Sequence, residues 1–310
     1  MYDKVKLLYP RTSLTPDVSK FLNSAKEQID LRTGEVCIFG NLEGLKVCIY
    51  AGGISIIGSL PKYIYPNNIY LLNRSTTAQA IEKLSDALHL PLNDARVTGL
   101  EFGNAFMMRQ PVESYLSKLG EMPRLQRYHF DVGSLYYKPR GKQQPKIFAF
   151  YDKIADARVK GMVLPEGFKG ANLLKYEMRL NGRLHKQLGE PEVKASTLTE
   201  RAFYAKLVTM YQESYFSIHK SNQVKPDMSQ IKTVSDAYNV LVARLISQSD
   251  KTQITGFLDE LKANNVFADR KSYTRLKNKI EEVSTKAGIT MSDELIKELD
   301  DEVKNVGAYV

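Results

Sequence analysis

Tyr151 stands at the end of an apolar run, residues 147–150, and is followed by Lys153 and Asp156. In an extended strand alternate side chains share a face, so Tyr151 and Lys153 are expected to lie side by side. A phenol has a pKa near ~10, and a neighbouring cation that favours the phenolate makes it a better nucleophile. The spacing favours a reactive tyrosine, with Lys153 lowering its pKa or clamping a phosphate. The alternative is a strand-end tyrosine packed against a surface lysine.

Glu101 lies in a second strand-like segment and shares its predicted face with Gly99 and Gly103. Because glycine carries no side chain, this arrangement predicts bare backbone on both sides of the carboxylate. A packing surface would normally fill such space. We therefore expect Glu101 to stand where a ligand can approach the sheet closely.

Two further segments alternate polar and apolar residues, as strands of a half-exposed antiparallel sheet do. Lys175, Glu177 and Arg179 are predicted to share one open face. In the segment that begins at Arg127 the odd positions are polar and are predicted to lie on that face as well, whereas Phe130 is predicted to point to the core. Sheets without any catalytic function show the same alternation, so only the kinds of charged residue on the open face can indicate a site.

Glu101 and Glu177 offer the carboxylate oxygens that hard divalent cations prefer, so the sequence predicts a site for Mg²⁺ or Mn²⁺. Asp156 is predicted either to join the metal ligands or to orient Lys153. The four histidines are scattered, with no pair one residue apart, which leaves the metal to carboxylates. With Tyr151 on the same face, the predicted chemistry is attack of its oxygen on a phosphodiester, which yields a phosphotyrosine and a free hydroxyl.

The composition is that of a globular protein: 310 residues, 43% apolar, 25% charged, with a net charge of +9. Residues 1–195 hold 28 Lys and Arg against 19 Asp and Glu, so the positive excess lies there and would attract a polyanion. No apolar stretch is long enough for a membrane span, and the first residues lack the apolar core of a secretory signal, so a cytoplasmic location without membrane contact is expected. Two cysteines are too few for a disulfide framework or a four-cysteine zinc site.

A basic loop separates two of the predicted strands. Residues 138–146 combine turn-forming Pro and Gly residues with Lys and Arg, as the tip of a β-hairpin that reaches a phosphate backbone would. The alternative is an ordinary solvated hairpin. The residues predicted to bind DNA are Lys138, Arg140 and Lys142 in this loop, and Arg127, Lys175 and Arg179 on the strands.

The strand and helix signals predict an α+β protein. Residues 1–195 are expected to form an antiparallel sheet with helices on one face, which carries the predicted attack on a phosphodiester. After residue 195 the strand signals end, and residues 196–310 are predicted to form an all-α domain for DNA recognition, oligomerisation or partner contact. In that part, a basic helix over residues 269–285 and the helix before it are similar in pattern to a DNA-reading helix pair.

Residues 148–156, with the sequence FAFYDKIAD, resemble the nucleophile motif of the filamentous-phage gene II replication proteins, in which Tyr-x-Lys-x-x-acid follows aromatic or aliphatic residues. The strand that holds Glu177 and Arg179 is similar to the aromatic-Glu-x-Arg strand of that family. Glu101 aligns with the acid of an Arg-hydrophobic-Asp strand, although the acid is longer here and the arginine is missing. The resemblance covers residues 45–190 and extends more distantly to rolling-circle plasmid initiators that lack the histidine pair.

This resemblance implies a replication initiator that nicks one strand of a phage or plasmid origin. Tyr151 would stay joined to the 5′ phosphate and leave a 3′ hydroxyl for a host polymerase, and the enzyme would later rejoin the displaced strand. The implied partners are single-stranded or supercoiled origin DNA, a host helicase and polymerase, and a second copy in a homodimer. The implied location is the bacterial host cytoplasm.

The rival hypothesis is a non-catalytic protein that binds single-stranded nucleic acid on the face of its sheet. Such a protein stacks bases on exposed aromatic side chains. The alternation of the strands predicts that Phe102, Phe130, Phe148, Phe150 and Tyr176 all point to the opposite face. The sequence therefore favours the enzyme.

Overall fold

The computed structural model describes residues 1–130, 133–220, 231–248, 251–286 and 294–309. The protein is of the α+β class, with a ten-stranded antiparallel sheet followed by a mostly helical part. Its contacts divide the chain into two compact units. Unit 1 comprises Met1–Leu116, Glu121–Ile218 and Glu302–Val310, and unit 2 comprises Ser117–Gly120 and His219–Asp301.

The sheet lies in unit 1, and each pair of neighbouring strands is antiparallel. Two-residue turns join Leu42 to Leu45 and Tyr50 to Gly53, as an antiparallel arrangement allows. The strands are β1 (Tyr2–Pro10), β2 (Asn23–Ile29), β3 (Val36–Leu42), β4 (Leu45–Tyr50), β5 (Gly53–Ser59), β6 (Arg96–Met108), β7 (Gln126–Phe130), β8 (Ser134–Lys138), β9 (Lys146–Asp152) and β10 (Asn172–Asn181).

The α-helices of the described residues vary from one turn to more than four. Most helices before residue 190 have five to seven residues, and the exception is the helix Arg74–Leu88. The two longest helices lie after residue 200. The helices are α1 (Leu60–Ile64), α2 (Arg74–Leu88), α3 (Val112–Leu116), α4 (Lys153–Val159), α5 (Leu184–Leu188), α6 (Arg201–Phe216), α7 (Val234–Gln248), α8 (Lys251–Ala263), α9 (Arg270–Lys286) and α10 (Glu294–Asn305).

The strand order is β2-β3-β4-β5-β1-β6-β10-β9-β8-β7. Strands β1–β5 form one half of the sheet and strands β6–β10 form the other. In each half the first strand pairs with the fifth, and the fourth, third and second follow outwards. The two halves therefore share one topology and meet where β1 pairs with β6 in the middle of the sheet.

One face of the sheet is buried, because apolar residues alternate along its strands. Around Tyr176 this face is aromatic: its ring stacks on Phe150 and on Tyr211 of α6, with ring centroids 4.2 Å apart in both cases. The Tyr176 hydroxyl donates to the Tyr211 carbonyl and the Tyr211 hydroxyl donates to the Tyr176 carbonyl, each at 3.1 Å. Helix α6 thus belongs to unit 1, although the predicted domain boundary after residue 195 assigns it to the helical part.

The opposite face, called the open face below, carries Glu101, Tyr151 and Glu177. Helix α4 covers one end of it, where Ile154 packs with Leu173 of β10. Elsewhere on this face large apolar side chains reach solvent, including Phe130, which is 45% exposed. Around the three acidic side chains the face is covered instead: Asp3 and Glu177 are buried, and the Asn68 side chain donates to Asp3 Oδ2 at 3.0 Å.

Unit 2 contains the predicted basic helix as α9, which follows α8 after a tight turn. The turn is held by Tyr273, whose hydroxyl accepts from the Phe267 amide at 3.0 Å. Reading of DNA by this helix pair stays a prediction. In the described part of the chain, no helix combines the length and hydropathy that crossing a lipid bilayer requires.

Candidate active site

Three carboxylates meet on the open face where the two halves of the sheet join. Glu101 of β6, Glu177 of β10 and Asp3 of β1 each place an oxygen within 4.8 Å of the others. Asp3 and Glu177 are buried, and Glu101 is partly exposed. The structure thus brings Glu101 and Glu177 together, and it adds a third acid that the strand patterns did not reveal.

Asp3 joins this group because of an irregularity in β1. The pairing of β1 with β6 shifts register between Tyr2 and Val5, and both of these residues are buried. They are three positions apart on β1, but their partners on β6, Phe102 and Leu100, are only two apart, so the strand bulges, and a bulge re-aims the side chains within it. Asp3 therefore lies beside Glu101 and Glu177 on the open face. No local sequence signal marks such a bulge.

Gly103 has a different role from the predicted one. A Cβ at this position would lie 2.3 Å from the Tyr176 carbonyl oxygen and 2.7 Å from the Glu177 Cα. The missing side chain lets β10 approach β6, with Glu177 opposite Gly103. At Gly99 the space is taken by the Lys6 side chain. The prediction that these two glycines leave room for a ligand was wrong, because neighbouring strands fill the space.

Tyr151 is hydrogen-bonded to one of these three carboxylates. Its hydroxyl donates to Glu177 Oε2 at 3.0 Å, because β9 and β10 pair with Tyr151 opposite Lys175, one diagonal step from Glu177. Burial and the adjacent Glu177 carboxylate raise the pKa of Tyr151 well above its ordinary value. The phenol is therefore protonated at rest and has a proton acceptor within hydrogen-bond distance.

Lys153 does not stand beside Tyr151 as predicted. Strand β9 ends at Asp152, whose side chain accepts from the Ile154 and Ala155 amides and caps helix α4, so Lys153 is the first helical residue. The Lys153 ammonium is buried and donates to Asn68 Oδ1 at 2.9 Å. Burial and the charge of Lys175 lower its pKa.

Asp156 lies on helix α4, outside the group of three acids. Its Oδ2 is 3.7 Å from the Lys153 ammonium and its Oδ1 is 2.6 Å from the Lys160 ammonium. Of its two predicted roles, the geometry favours orienting Lys153 over binding a metal.

Arg179 neutralises the carboxylates from β10. Its Nε donates to Glu177 Oε1 at 2.6 Å, its Nη2 pairs with the same oxygen, and Glu101 Oε1 is 3.9 Å from Nε. Burial disfavours the guanidinium cation, but Glu177 and Glu101 outweigh it and raise the pKa of Arg179. Its side chain is 29% exposed, so a ligand bound at the carboxylates can contact its guanidinium.

Lys175 is fully buried and cannot reach a DNA backbone on the surface, in contrast to its predicted role. Its ammonium is 3.9 Å from Asp3 Oδ2, and among the described residues it has no hydrogen-bond partner. A buried ammonium in this position balances the negative charge of the carboxylates.

The β7 strand presents the face opposite to the predicted one. Arg127 pairs with Tyr137, which is buried, whereas Tyr128 pairs with Tyr136 and Phe130 with Ser134 on the open face. The assignment of Arg127 to the open face and of Phe130 to the core was therefore wrong. An edge strand has solvent near both faces, so its alternation alone does not tell which face joins the core.

The basic loop joins β8 to β9, as the sequence predicts. Arg140 and Lys142 are exposed in this loop. Lys138 places its ammonium 4.3 Å from the centre of the Tyr128 ring. These three cations therefore lie on the hairpin whose second strand leads to Tyr151.

The carboxylates fit a divalent cation on chemical grounds. Asp3, Glu101 and Glu177 offer the oxygen donors that Mg²⁺ and Mn²⁺ take. Burial and the adjacent Glu177 raise the pKa of Glu101 to about 7, although Arg179 opposes this change. A carboxylate held so close to a second one is one that a bound cation would stabilise.

Comparison with models of known protein families and with curated proteins found no match. What the site can do follows from its own geometry. It holds a phenol bonded to a carboxylate, three acids within reach of one cation, and buried cations that balance them. Such a set is suited to nucleophilic attack by the phenol oxygen on an anionic, electrophilic group.

Proposed function

We propose that this protein is a metal-dependent DNA nickase and ligase that uses Tyr151 as its nucleophile. The hydrogen bond from the Tyr151 hydroxyl to Glu177 Oε2 carries this proposal. Asp3 and Glu101 lie on the same face of the sheet as this hydrogen-bonded pair. Burying charged groups costs folding free energy, and a tyrosine that only packs does not require charged groups around it.

The bonds and protons balance in one displacement. Glu177 takes the phenol proton while the Tyr151 oxygen bonds to the phosphorus of a DNA phosphodiester. The bond from phosphorus to the 3′ oxygen breaks, and that oxygen leaves as a hydroxyl after it takes up a proton from water. The reverse displacement, by a 3′ hydroxyl on the phosphotyrosine, rejoins a strand. Because each step exchanges one phosphate ester for another, no external energy source is needed.

The surrounding cations stabilise the charge that this displacement moves. Arg179 lies against Glu177 and Glu101 on the open face, and Lys175 neutralises Asp3 from within the sheet. A divalent cation bound by Asp3, Glu101 and Glu177 would supply the positive charge that stabilises a phosphate during displacement. Removal of a proton from Tyr151 has to overcome its raised pKa, and a nearby cation favours the phenolate.

The resemblance to the gene II replication proteins supports a wider proposal. The protein would start rolling-circle replication of a phage or plasmid by nicking its origin in the bacterial cytoplasm. Its 3′ hydroxyl product would serve a host polymerase, with a host helicase to open the duplex, and the protein would act as a homodimer.

The test uses a pool of random single-stranded oligonucleotides with Mn²⁺. Strands labelled at the 3′ end should become attached to the protein on a denaturing gel, and strands labelled at the 5′ end should be released shorter. Mass spectrometry should place the nucleotide adduct on Tyr151, and Tyr151→Phe should form none. An adduct on Tyr136 or Tyr137 of β8, or one that persists in Tyr151→Phe, contradicts the proposal.

One observation favours the rival function, a non-catalytic protein that binds single strands. Tyr128, Phe130 and Tyr136 lie on the open face, although the strand alternation had placed Phe130 in the core. The main argument against the binding protein, that its aromatic side chains point to the core, therefore does not hold for these three residues. Metal-independent binding without any cleavage or adduct would favour it over the nickase.

A further inference from the structure

A row of residues in register links the carboxylates to the edge of the sheet. Across the open face, Glu177 of β10 lies opposite Ala149 of β9, Ala149 opposite Tyr136 of β8, and Tyr136 opposite Tyr128 of β7. Neighbouring strands are about 4.8 Å apart, so Tyr136 lies two strands, roughly 10 Å, from Glu177. That is within the reach of a few nucleotides of an extended strand.

The aromatic rings along this edge are available to a ligand. Phe130 is 45% exposed, and its ring meets Tyr136 edge to face, with centroids 5.8 Å apart. Tyr136 and Tyr128 are half-buried. By contrast, Phe150 and Tyr176 on the other face are fully buried against α6.

Small side chains separate these rings from the nucleophile. Ser134 lies between Phe130 and Tyr151 in one row, and Ala149 lies between Tyr136 and Glu177 in the next. Both side chains are small, so neither by itself separates the rings from Tyr151.

A cation lies over the ring of Tyr136 and another over the ring of Tyr128. The Arg179 guanidinium carbon lies 5.6 Å from the centre of the Tyr136 ring, and the Lys138 ammonium lies 4.3 Å from that of Tyr128. Arg140 and Lys142 extend the positive charge along the loop. Alternating rings and cations on one surface complement a chain of bases and phosphates.

We propose that Tyr128, Phe130 and Tyr136 form a stacking platform that holds the bases of an unpaired DNA strand beside Tyr151. The inference rests on the proposed function for the identity of its substrate, and it assigns a single strand to the site. In a duplex the base faces are already stacked on each other, whereas unpaired bases can lie on aromatic rings. Lys138, Arg140 and Lys142 hold the phosphates of the same strand.

Binding is measured with the full chain carrying Tyr151→Phe, in EDTA, so that no strand is cut. A labelled oligothymidylate reports affinity by fluorescence anisotropy. Phe130→Ala and Tyr136→Ala should each weaken binding about tenfold, and Tyr136→Phe should retain it because the ring remains. Phe39→Ala is the matched control, since Phe39 is 41% exposed on the open face of β3 and should leave binding unchanged.

An abasic oligonucleotide of the same length separates stacking from charge and from misfolding. The two alanine variants should bind it as tightly as the parent does, while Arg140→Ala should lose affinity for both oligonucleotides. Equal losses on both strands in Tyr136→Ala and Phe130→Ala, or no loss on either, would overturn the platform.

The platform and the proposed function fail in different ways. If the native chain forms the Tyr151 adduct while the alanine variants bind as the parent does, the nickase stands and the platform is wrong. If the variants lose base-dependent binding but the native chain forms no adduct, the platform stands and the nickase is wrong.

Discussion

The two halves of the sheet have the same strand order but different chemistry on the open face. Both rows described here run from the edge strand to the middle of the sheet. In the first half the row is Lys26, Phe39, Cys48, Ser55 and Leu8. In the second half it is Tyr128, Tyr136, Ala149, Glu177 and Gly103.

The difference shows that topology supplies a surface and side chains supply the site. Strands β3, β4 and β5 contain no Asp or Glu at all, whereas β6 and β10 each contribute a glutamate to the carboxylate group. The buried faces remain alike, since Val47 and Ile56 in the first half and Phe148 and Met178 in the second are all buried. Both halves have an apolar buried face, but the two glutamates of the carboxylate group lie in the second half.

The largest expected effect comes from removing the base in the second half. Glu177→Gln deletes the acceptor of the Tyr151 proton and should lower the initial rate of nicking about 10²- to 10⁴-fold. Ser55→Ala changes the residue in the matching row of the first half and should leave the rate unchanged. Rates of strand cleavage at saturating oligonucleotide measure both. A similar loss in Ser55→Ala would show that the first half takes part in the chemistry.

The close approach of β6 and β10 is the next target. Gly103→Ala places a methyl group against the Tyr176 carbonyl and should lower the free energy of unfolding by about 1–3 kcal/mol. Gly99→Ala is the control, because its methyl group meets only the flexible Lys6 side chain, which can move aside. Urea denaturation compares the two. If both variants lose the same stability, the tight contact at Gly103 is not a special feature of the second half.

The crowded carboxylates predict a dependence of stability on pH in EDTA. The pKa of Glu101 is raised to about 7 in the folded chain. Between its unfolded pKa and 7 the folded chain binds more protons, so the free energy of unfolding falls as pH rises through this window. Glu101→Gln should abolish this loss and make the protein more stable than the native chain at pH 8 by on the order of 2 kcal/mol, with little difference at pH 4.5.

A divalent cation should offset the same repulsion. Adding Mn²⁺ at pH 8 should stabilise the native chain more than it stabilises Glu101→Gln, as thermal unfolding can measure. A pH profile of Glu101→Gln that follows the native chain would instead assign the effect to other groups.

The smallest effect concerns the phosphate contacts. Arg140→Ala and Lys142→Ala should each reduce the dependence of single-strand binding on salt, lowering the slope of log affinity against log salt by about 0.7. Lys46→Ala alters an exposed lysine on β4 of the first half and should leave the slope unchanged. Equal changes in all three variants would indicate a diffuse basic surface with no preferred half.

The sequence predicted the α+β class and most strands of the second half correctly. Alternation with a period of two is a local property, and burial of one face imposes it wherever a strand crosses the core. For that reason Glu101, Glu177 and Arg179 lie on one face, as their spacing indicates. The pairing of the two halves around β1 and β6 left no local pattern.

The sequence was wrong where a local pattern had more than one structural solution. Lys153 follows Tyr151 at strand spacing, but the Asp152 side chain caps a helix there, and the Lys153 ammonium donates to Asn68. At β7 the strand alternates as predicted, but the opposite face joins the core. Arg127 therefore lies on the core side and Phe130 on the open face.

The amino-acid sequence by itself therefore determined the types of chemistry available: a tyrosine at a strand end, two glutamates among glycines and cations, and a basic hairpin. Only the tertiary structure decided which groups meet. It added Asp3 through a bulge, replaced Lys153 by Glu177 as the partner of Tyr151, and exposed an aromatic edge. The physical reason is that strand register and bulges are set by pairing between distant segments, whereas side-chain alternation is set within each strand.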